Sequence, residues 1–259
     1  MIALLQTAER TSNLSQINNY VYQRHVFAYE EAIKYLGNMV VELGCGSGYG
    51  TKILAPYCDW FVGIDKHIPS KAFLNSNSAF FKCRFPDLSN IGDNSFDTVV
   101  CFQVIEHIKD DSVMLNEIYR ILKPGGKMLL TTPNKLMSLT RNPYHIREYT
   151  PHTMQQLVAA CFNKYKVTGV YGDSIVMEYY AANKRSVDNI TCWDIFNLQN
   201  TLPARLLKIP YNIANNINRL ILYQQNAEVC SNINWDNHYL GSIGPECLDF
   251  FVIAEKESK

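Results

Sequence analysis

The segment Val40–Gly50, VVELGCGSGYG, carries Gly44, Gly46, Gly48 and Gly50 directly after an apolar run. A tight turn from strand to helix needs one glycine. Repeated glycine indicates backbone that takes positive φ or lies against a ligand. Apolar strands and amphipathic helices then alternate along the chain, which indicates a mostly parallel, doubly wound α/β sheet. Ligands of such sheets bind outside the carboxyl ends of the strands, where this glycine turn lies.

The spacing narrows the ligand. A dinucleotide fingerprint needs G-x-G-x-x-G. Counting from Gly44 the third position falls on Tyr49, and counting from Gly46 it falls on Thr51. The pattern is G-x-G-x-G instead, with Glu42 ahead of it. A carboxylate there repels pyrophosphate and suits an ammonium group. Asp65 ends the next strand, WFVGID, where a carboxylate can accept both hydroxyls of a ribose. A ligand with an amine, a ribose and no phosphate matches S-adenosylmethionine.

The remaining elements read in order. YVYQRHVFAYEEAIKYL is a helix, MVVELG a buried strand and YGTKILAPY a helix. AFFKCRF is a weak strand and FDTVVCFQV a strong one. DDSVMLNEIYRIL is a helix with an Asp cap, stopped by KPGG; KMLLTTPN is a strand. TPHTMQQLVAACF is a helix capped by Thr150 with Pro151 first. After YKVTGVYGD the rhythm breaks, and residues 174–245 read as helix and loop before a final strand, CLDFFVIAEK. The expected layout is one domain over 1–259: a helical cap (1–36), a cofactor-binding core (37–173), a helical insertion or lid (174–245) and a last strand (246–259).

VVELGCGSGYGTKILA, VGID, DNSFDTVVCFQVIEHI and RILKPGGKMLLTTPN resemble the successive motifs of class I S-adenosylmethionine-dependent methyltransferases, over roughly Tyr22 to Phe162. The resemblance implies a seven-stranded Rossmann-like sheet whose last strand is antiparallel. It places Glu42, Gly44, Cys45, Gly46, Gly48 and Tyr49 around the methionine and ribose side. Asp65 would hold the ribose, Lys66 would lie near the adenine, and Gln103 would lie against the cofactor. Members often carry an Asp for the adenine amine near the position of Phe85. Asp87 is offset here, so the adenine would be held by backbone and by stacking on Phe85.

Methyl transfer from a sulfonium needs alignment and exclusion of water. A hydroxyl acceptor also benefits from a general base, for which histidine is the default. His107, in QVIEHI, is one candidate; a cap on the following helix is its structural alternative. A related E-V-x-E-H motif in some quinone O-methyltransferases is associated with a divalent metal. Gln103 replaces the first acid, so no metal is expected. TPNKLMSLTRNPYHIREYTPHTM resembles a loop of small-molecule and glycan methyltransferases. It offers His145 as a second base and Tyr144, Arg147 and Glu148 as acceptor contacts, or a loop pinned by an Arg–Glu pair. LPARLLKIPYNIANNINRLILY reads as a lid helix, with a homodimer face or a membrane-surface helix as alternatives. Trp193, Trp235 and Tyr239 are candidate apolar walls.

Composition weighs against several classes. Formal net charge is +0, so neither nucleic acid nor anionic lipid is an expected partner. None of the 8 cysteines forms a C-x-x-C pair, and several lie in strand-like runs, which indicates free thiols in a reducing cytoplasm. No apolar run reaches membrane-spanning length, and MIALLQTAER lacks the basic start of a leader. The expected function is methyl transfer to oxygen, less favourably nitrogen, of a small molecule such as a sugar or glycan precursor. RNA or protein as acceptor, a non-catalytic cofactor-binding partner, and a nicotinamide oxidoreductase are the alternatives.

Overall fold

A computed structural model describes residues 16–192, 194 and 197–258. The start of the expected helical cap and Trp193 lie outside the described residues. Eight strands form one sheet: β1 Met39–Leu43, β2 Trp60–Asp65, β3 Ser78–Lys82, β4 Phe96–Phe102, β5 Leu122–Pro133, β6 Lys164–Gly172, β7 His238–Ser242 and β8 Asp249–Glu255, in the order β3-β2-β1-β4-β5-β8-β6-β7. The five strands from β3 to β5 pair in parallel, while β8 runs antiparallel between β5 and β6. That is the expected doubly wound methyltransferase sheet with a reversed last strand, extended by one strand.

The extension is β7, at the end of the stretch read from sequence as helix and loop. HYLGS is short, and alternation is hard to recognise over five residues. It pairs antiparallel with β6 and covers what would otherwise be an open sheet edge.

Continuous apolar strands arise because both faces are buried. Val41, Val99, Leu130 and Phe250 pack on one face; Val40, Val100, Leu129 and Phe251 pack on the other. Each buried Phe or Leu contributes about 1.5–3 kcal/mol. The edge strand β3 keeps Phe81 exposed, which explains its weak pattern.

The helices are α1 Asn19–Ala32, α2 Tyr49–Leu54, α3 Asp111–Ile121, α4 Pro151–Ala159, α5 Ser174–Thr191, α6 Leu198–Thr201, α7 Ala204–Gln225 and α8 Ala227–Asn232. Thr150 caps α4 through Thr153 N with Pro151 in first position, as read. The cap of α3 differs. Asp110 holds the N-cap position but makes no side-chain cap bond, and Asp111 is turned to other partners. KPGG belongs to the irregular start of β5, where Gly125 takes φ +76. All eight cysteines are free thiols. Among the described residues no helix is long and apolar enough to cross a membrane.

Candidate active site

The glycine loop joins β1 to α2 with positive φ at Gly44, Gly46 and Gly48. Their reasons differ. A Cβ at Gly44 would meet Val104 Cγ2 at 2.3 Å, and one at Gly48 would meet Phe80 and Pro69 at 3.0 Å. Gly50 is bare because the Tyr29 ring lies 2.5 Å from where its Cβ would be. Gly46 is the exception: only a backbone oxygen at 3.9 Å comes near. Bare backbone there faces room.

That room is a cavity of about 80 Å3 lined by Gly44, Cys45, Gly46, Ser47, Tyr49 and Gln103 together with Arg24 and His25 of α1. Asp65 sits at the end of β2, nearly buried, and accepts hydrogen bonds from Gly46 N (3.1 Å) and His67 N (2.9 Å). Those two bonds fix the loop and leave lone pairs on both oxygens. Glu42 is 1% exposed. Its Oε1 accepts from Tyr29 Oη, while Oε2 is buried with no hydrogen-bond partner among the described residues. Burial raises its pKa to about 7. Gln103 stands beyond β4 with φ +55, a left-handed backbone rare outside glycine. Its amide lies 3.3 Å from Asp249 Oδ2. Of the expected cofactor residues Gly44, Cys45, Gly46, Tyr49 and Gln103 line this cavity; Glu42, Gly48, Asp65, Lys66 and Phe85 lie outside its lining, Lys66 exposed and Phe85 packed partly against the core.

A second cavity of about 230 Å3 opens beside the first. Arg24 and Asp249 line both. Its wall carries Asn142, His145 and Glu148 from the loop after β5, Asn134 from the end of β5, and side chains of α5 and α7. Asn134 is fully buried and ties that strand end to the entry of β8, donating to Cys247 O at 2.8 Å.

His145 is oriented from both sides. Nδ1 lies 2.7 Å from Glu148 Oε1, and Nε2 lies 2.8 Å from the Asn142 amide. A neutral ring protonated at Nδ1 donates to Glu148 and accepts from Asn142, satisfying both. His107 stacks edge-on against His145 at 5.0 Å, and its Nδ1 lies 3.1 Å from the Tyr144 carbonyl. Glu106 anchors the loop: its carbonyl accepts from Ile146 N and Arg147 N, and its carboxylate from Thr132 Oγ1. Glu106, His107 and His145 bring ligand-type atoms within 4.8 Å of one another.

Two expected acceptor contacts do not line this cavity. Arg147 pairs with Asp111 at the start of α3, where Tyr149 Oη also donates at 2.9 Å. The loop is therefore pinned by an Arg–Asp contact, while Glu148 serves His145. Tyr144 faces α7 instead; Asn212 donates to its hydroxyl at 2.7 Å and Lys208 lies over its ring. Trp235 is exposed, and Tyr239 stacks on Tyr171 away from the cavity.

Sequence reasoning missed Arg24, His25 and Asp249. The Arg24 Nε to Asp249 Oδ2 distance is 3.0 Å, with the acid almost fully buried. Burial raises the Asp249 pKa, against the pull of Arg24. Asp249 Oδ1 has no hydrogen-bond partner among the described residues. Burial, then the charges of Arg24 and His238, lower the His25 pKa to about 3, so it stays neutral. The signal was faint: both α1 residues lie in an ordinary amphipathic pattern.

A Rossmann-like sheet with a glycine loop, an acid at the end of β2 and a second cavity at the strand ends is the layout of an enzyme that binds a nucleoside cofactor. The profile of the family described as "Methyltransferase domain" matches residues 41–130. A probable S-adenosylmethionine-dependent methyltransferase of Mycolicibacterium smegmatis is 32% identical over 194 residues, covering 71% of this chain and 76% of that protein. The ubiquinone biosynthesis O-methyltransferase of Coxiella burnetii is 27% identical over 115 residues, 41% of this chain and 48% of that protein. A solved S-adenosylmethionine-dependent methyltransferase from Archaeoglobus fulgidus shares the fold at TM-score 0.55 and 16% identity, covering 92% of this chain and 97% of that one. The chain belongs to the S-adenosylmethionine-dependent methyltransferases. Its cofactor is S-adenosylmethionine, and the unpaired Glu42 oxygen, the open face of Gly46 and the anchored Asp65 carboxylate fit that molecule.

Proposed function

We propose that this methyltransferase transfers a methyl group to a hydroxyl oxygen of a small molecule, of the sugar or glycan-precursor class. The carrying observation is the His145–Glu148 pair on the wall of the cavity that meets the glycine-loop cavity at Arg24 and Asp249. Bound S-adenosylmethionine supplies a methyl group on a cationic sulfur. Glu42 would pair with its ammonium group, Asp65 with the ribose, and Arg24 with the carboxylate of its methionine part. Lys66 and Phe85 would flank the adenine. Glu148 holds the His145 proton on Nδ1, so Nε2 is the lone pair that takes the hydroxyl proton once Asn142 yields it to the acceptor. His107 supports that ring edge-on.

His145 is engaged through both ring nitrogens, Nδ1 by Glu148 and Nε2 by the Asn142 amide. The reading is therefore metal-free acid–base chemistry. The name of the Coxiella relative supports oxygen as the acceptor atom. Free thiols throughout support a reducing, cytoplasmic setting. The insertion acts as the lid of a single methyltransferase domain. The test is release of S-adenosylhomocysteine with hydroxylated sugars and glycan precursors. Turnover with these supports the reading; turnover only with RNA or protein contradicts it.

A further inference from the structure

A third cavity, of about 430 Å3, lies between α5, α6 and α7. Its volume falls in the range of small-molecule pockets. Val187, Ile190, Leu198, Leu202, Leu207 and Ala214 give it an apolar wall. It adjoins the His145 cavity: Thr140, Val187, Tyr211, Asn215 and Asn218 line both. Polarity changes along this path. Arg24, Asp249, His145 and Glu148 stand at the inner end, asparagines at the junction, and aliphatic side chains at the outer end.

The outer cavity is a built feature. Arg141, from the loop that carries His145, donates to the carbonyls of Gln199, Asn200 and Leu202 and holds α6 in place as a wall. Asn218 bridges α7 to α5 through Asn183 (2.9 Å) and Ser186 (2.5 Å). At the junction the Asn215 Nδ2 atom is buried with no hydrogen-bond partner among the described residues. An unmet donor at such a border has a use if an acceptor oxygen passes it. The charged residues of α7 are Arg205, Lys208 and Arg219, with no acid. Its outer face carries Leu206, Ile209 and Ile213, each more than half exposed.

We propose that the methyl acceptor is an amphiphile. Its polar head carries the methylated oxygen in the His145 cavity, and an alkyl or isoprenoid chain lies between α5, α6 and α7. The inference rests on the His145 cavity being the acceptor site. It restricts the acceptor to lipid-linked or acyl-bearing compounds, which must come from a reaction that attaches an apolar chain to a hydroxylated head group. Burial of the chain supplies affinity that a free sugar lacks.

The probe is dansylaminoundecanoic acid, followed by fluorescence with the full chain. Micromolar binding is expected, weakened at least tenfold (~1.4 kcal/mol) by Ala214→Trp, which fills the cavity. Calorimetric binding of S-adenosylhomocysteine should not change in that variant. If Ala214→Trp melts early, Leu207→Asp gives the same reading without added volume. A chain that binds S-adenosylhomocysteine but not the probe overturns the proposal, as does probe affinity unchanged from wild type in both variants. Probe binding that disappears as the protein is concentrated into dimers also overturns it, assigning the groove to a second copy. Because the probe reports binding without turnover, failure of methyl transfer to oxygen is a separate result.

Discussion

Arg24 of α1 and Asp249 of β8 meet at 3.0 Å on the wall shared by the glycine-loop cavity and the His145 cavity. Both are largely removed from water, so each depends on the other. Arg24→Ala leaves a buried, uncompensated carboxylate and should cost about 3 kcal/mol of stability. Asp249→Asn should cost less, since Gln103 can still donate to the remaining oxygen. Denaturant unfolding of both variants checks this order; equal or reversed losses would contradict it.

Glu42 gives a pH dependence with a definite sign. Burial lifts its folded pKa to about 7, above the ordinary value of 4.5. It therefore contributes stability that is complete below about pH 4.5 and is lost as pH rises through about 7. A ligand ammonium reverses the balance by favouring the carboxylate. Affinity for S-adenosylhomocysteine should rise between pH 5.5 and 7.5 by about tenfold, and the rise should be smaller in Glu42→Gln. Parallel slopes in the two proteins would remove Glu42 from the ammonium site.

His145 and His107 separate by rate. His145→Ala should lower kcat about a hundredfold with unchanged affinity for S-adenosylhomocysteine. Loss of His107, which meets the His145 ring edge and the Tyr144 carbonyl, should cost less. The reverse order would make His107 the base. Chelation by EDTA should leave turnover unchanged; a loss restored by magnesium or manganese would show that Glu106, His107 and His145 hold a metal.

Arg147 is a latch in this account. Its side chain is 49% exposed, so its pairing with Asp111 is worth no more than about 1 kcal/mol. Arg147→Ala should lower the melting temperature slightly and leave KM for the acceptor unchanged. A large rise in KM would return Arg147 to the acceptor site.

Legibility followed sequence distance. The glycine loop, Asp65 and the buried strands were readable because their signals are local: alternate glycines, a strand-end acid, runs of Val and Leu. His145 and Glu148 were visible because they share one turn of loop. Arg24 and Asp249 were not, since they come from opposite ends of the chain and only the sheet order brings them together. Arg147 looked like a ligand grip because an exposed cation gives no hint of its partner. Asp111, read as part of a helix start, was that partner. The edge strand β7 was hidden by its length and by the open edge of β6 that it covers.

The cofactor site is tested most directly by titrating S-adenosylhomocysteine into the wild-type chain and Asp65→Ala by calorimetry. Asp65 holds the loop through Gly46 N and His67 N and has lone pairs left for a ribose. The account predicts micromolar binding to the wild type, weakened at least tenfold, about 1.4 kcal/mol, in the variant. Absence of heat with the wild type, or equal affinity in the two proteins, would contradict it.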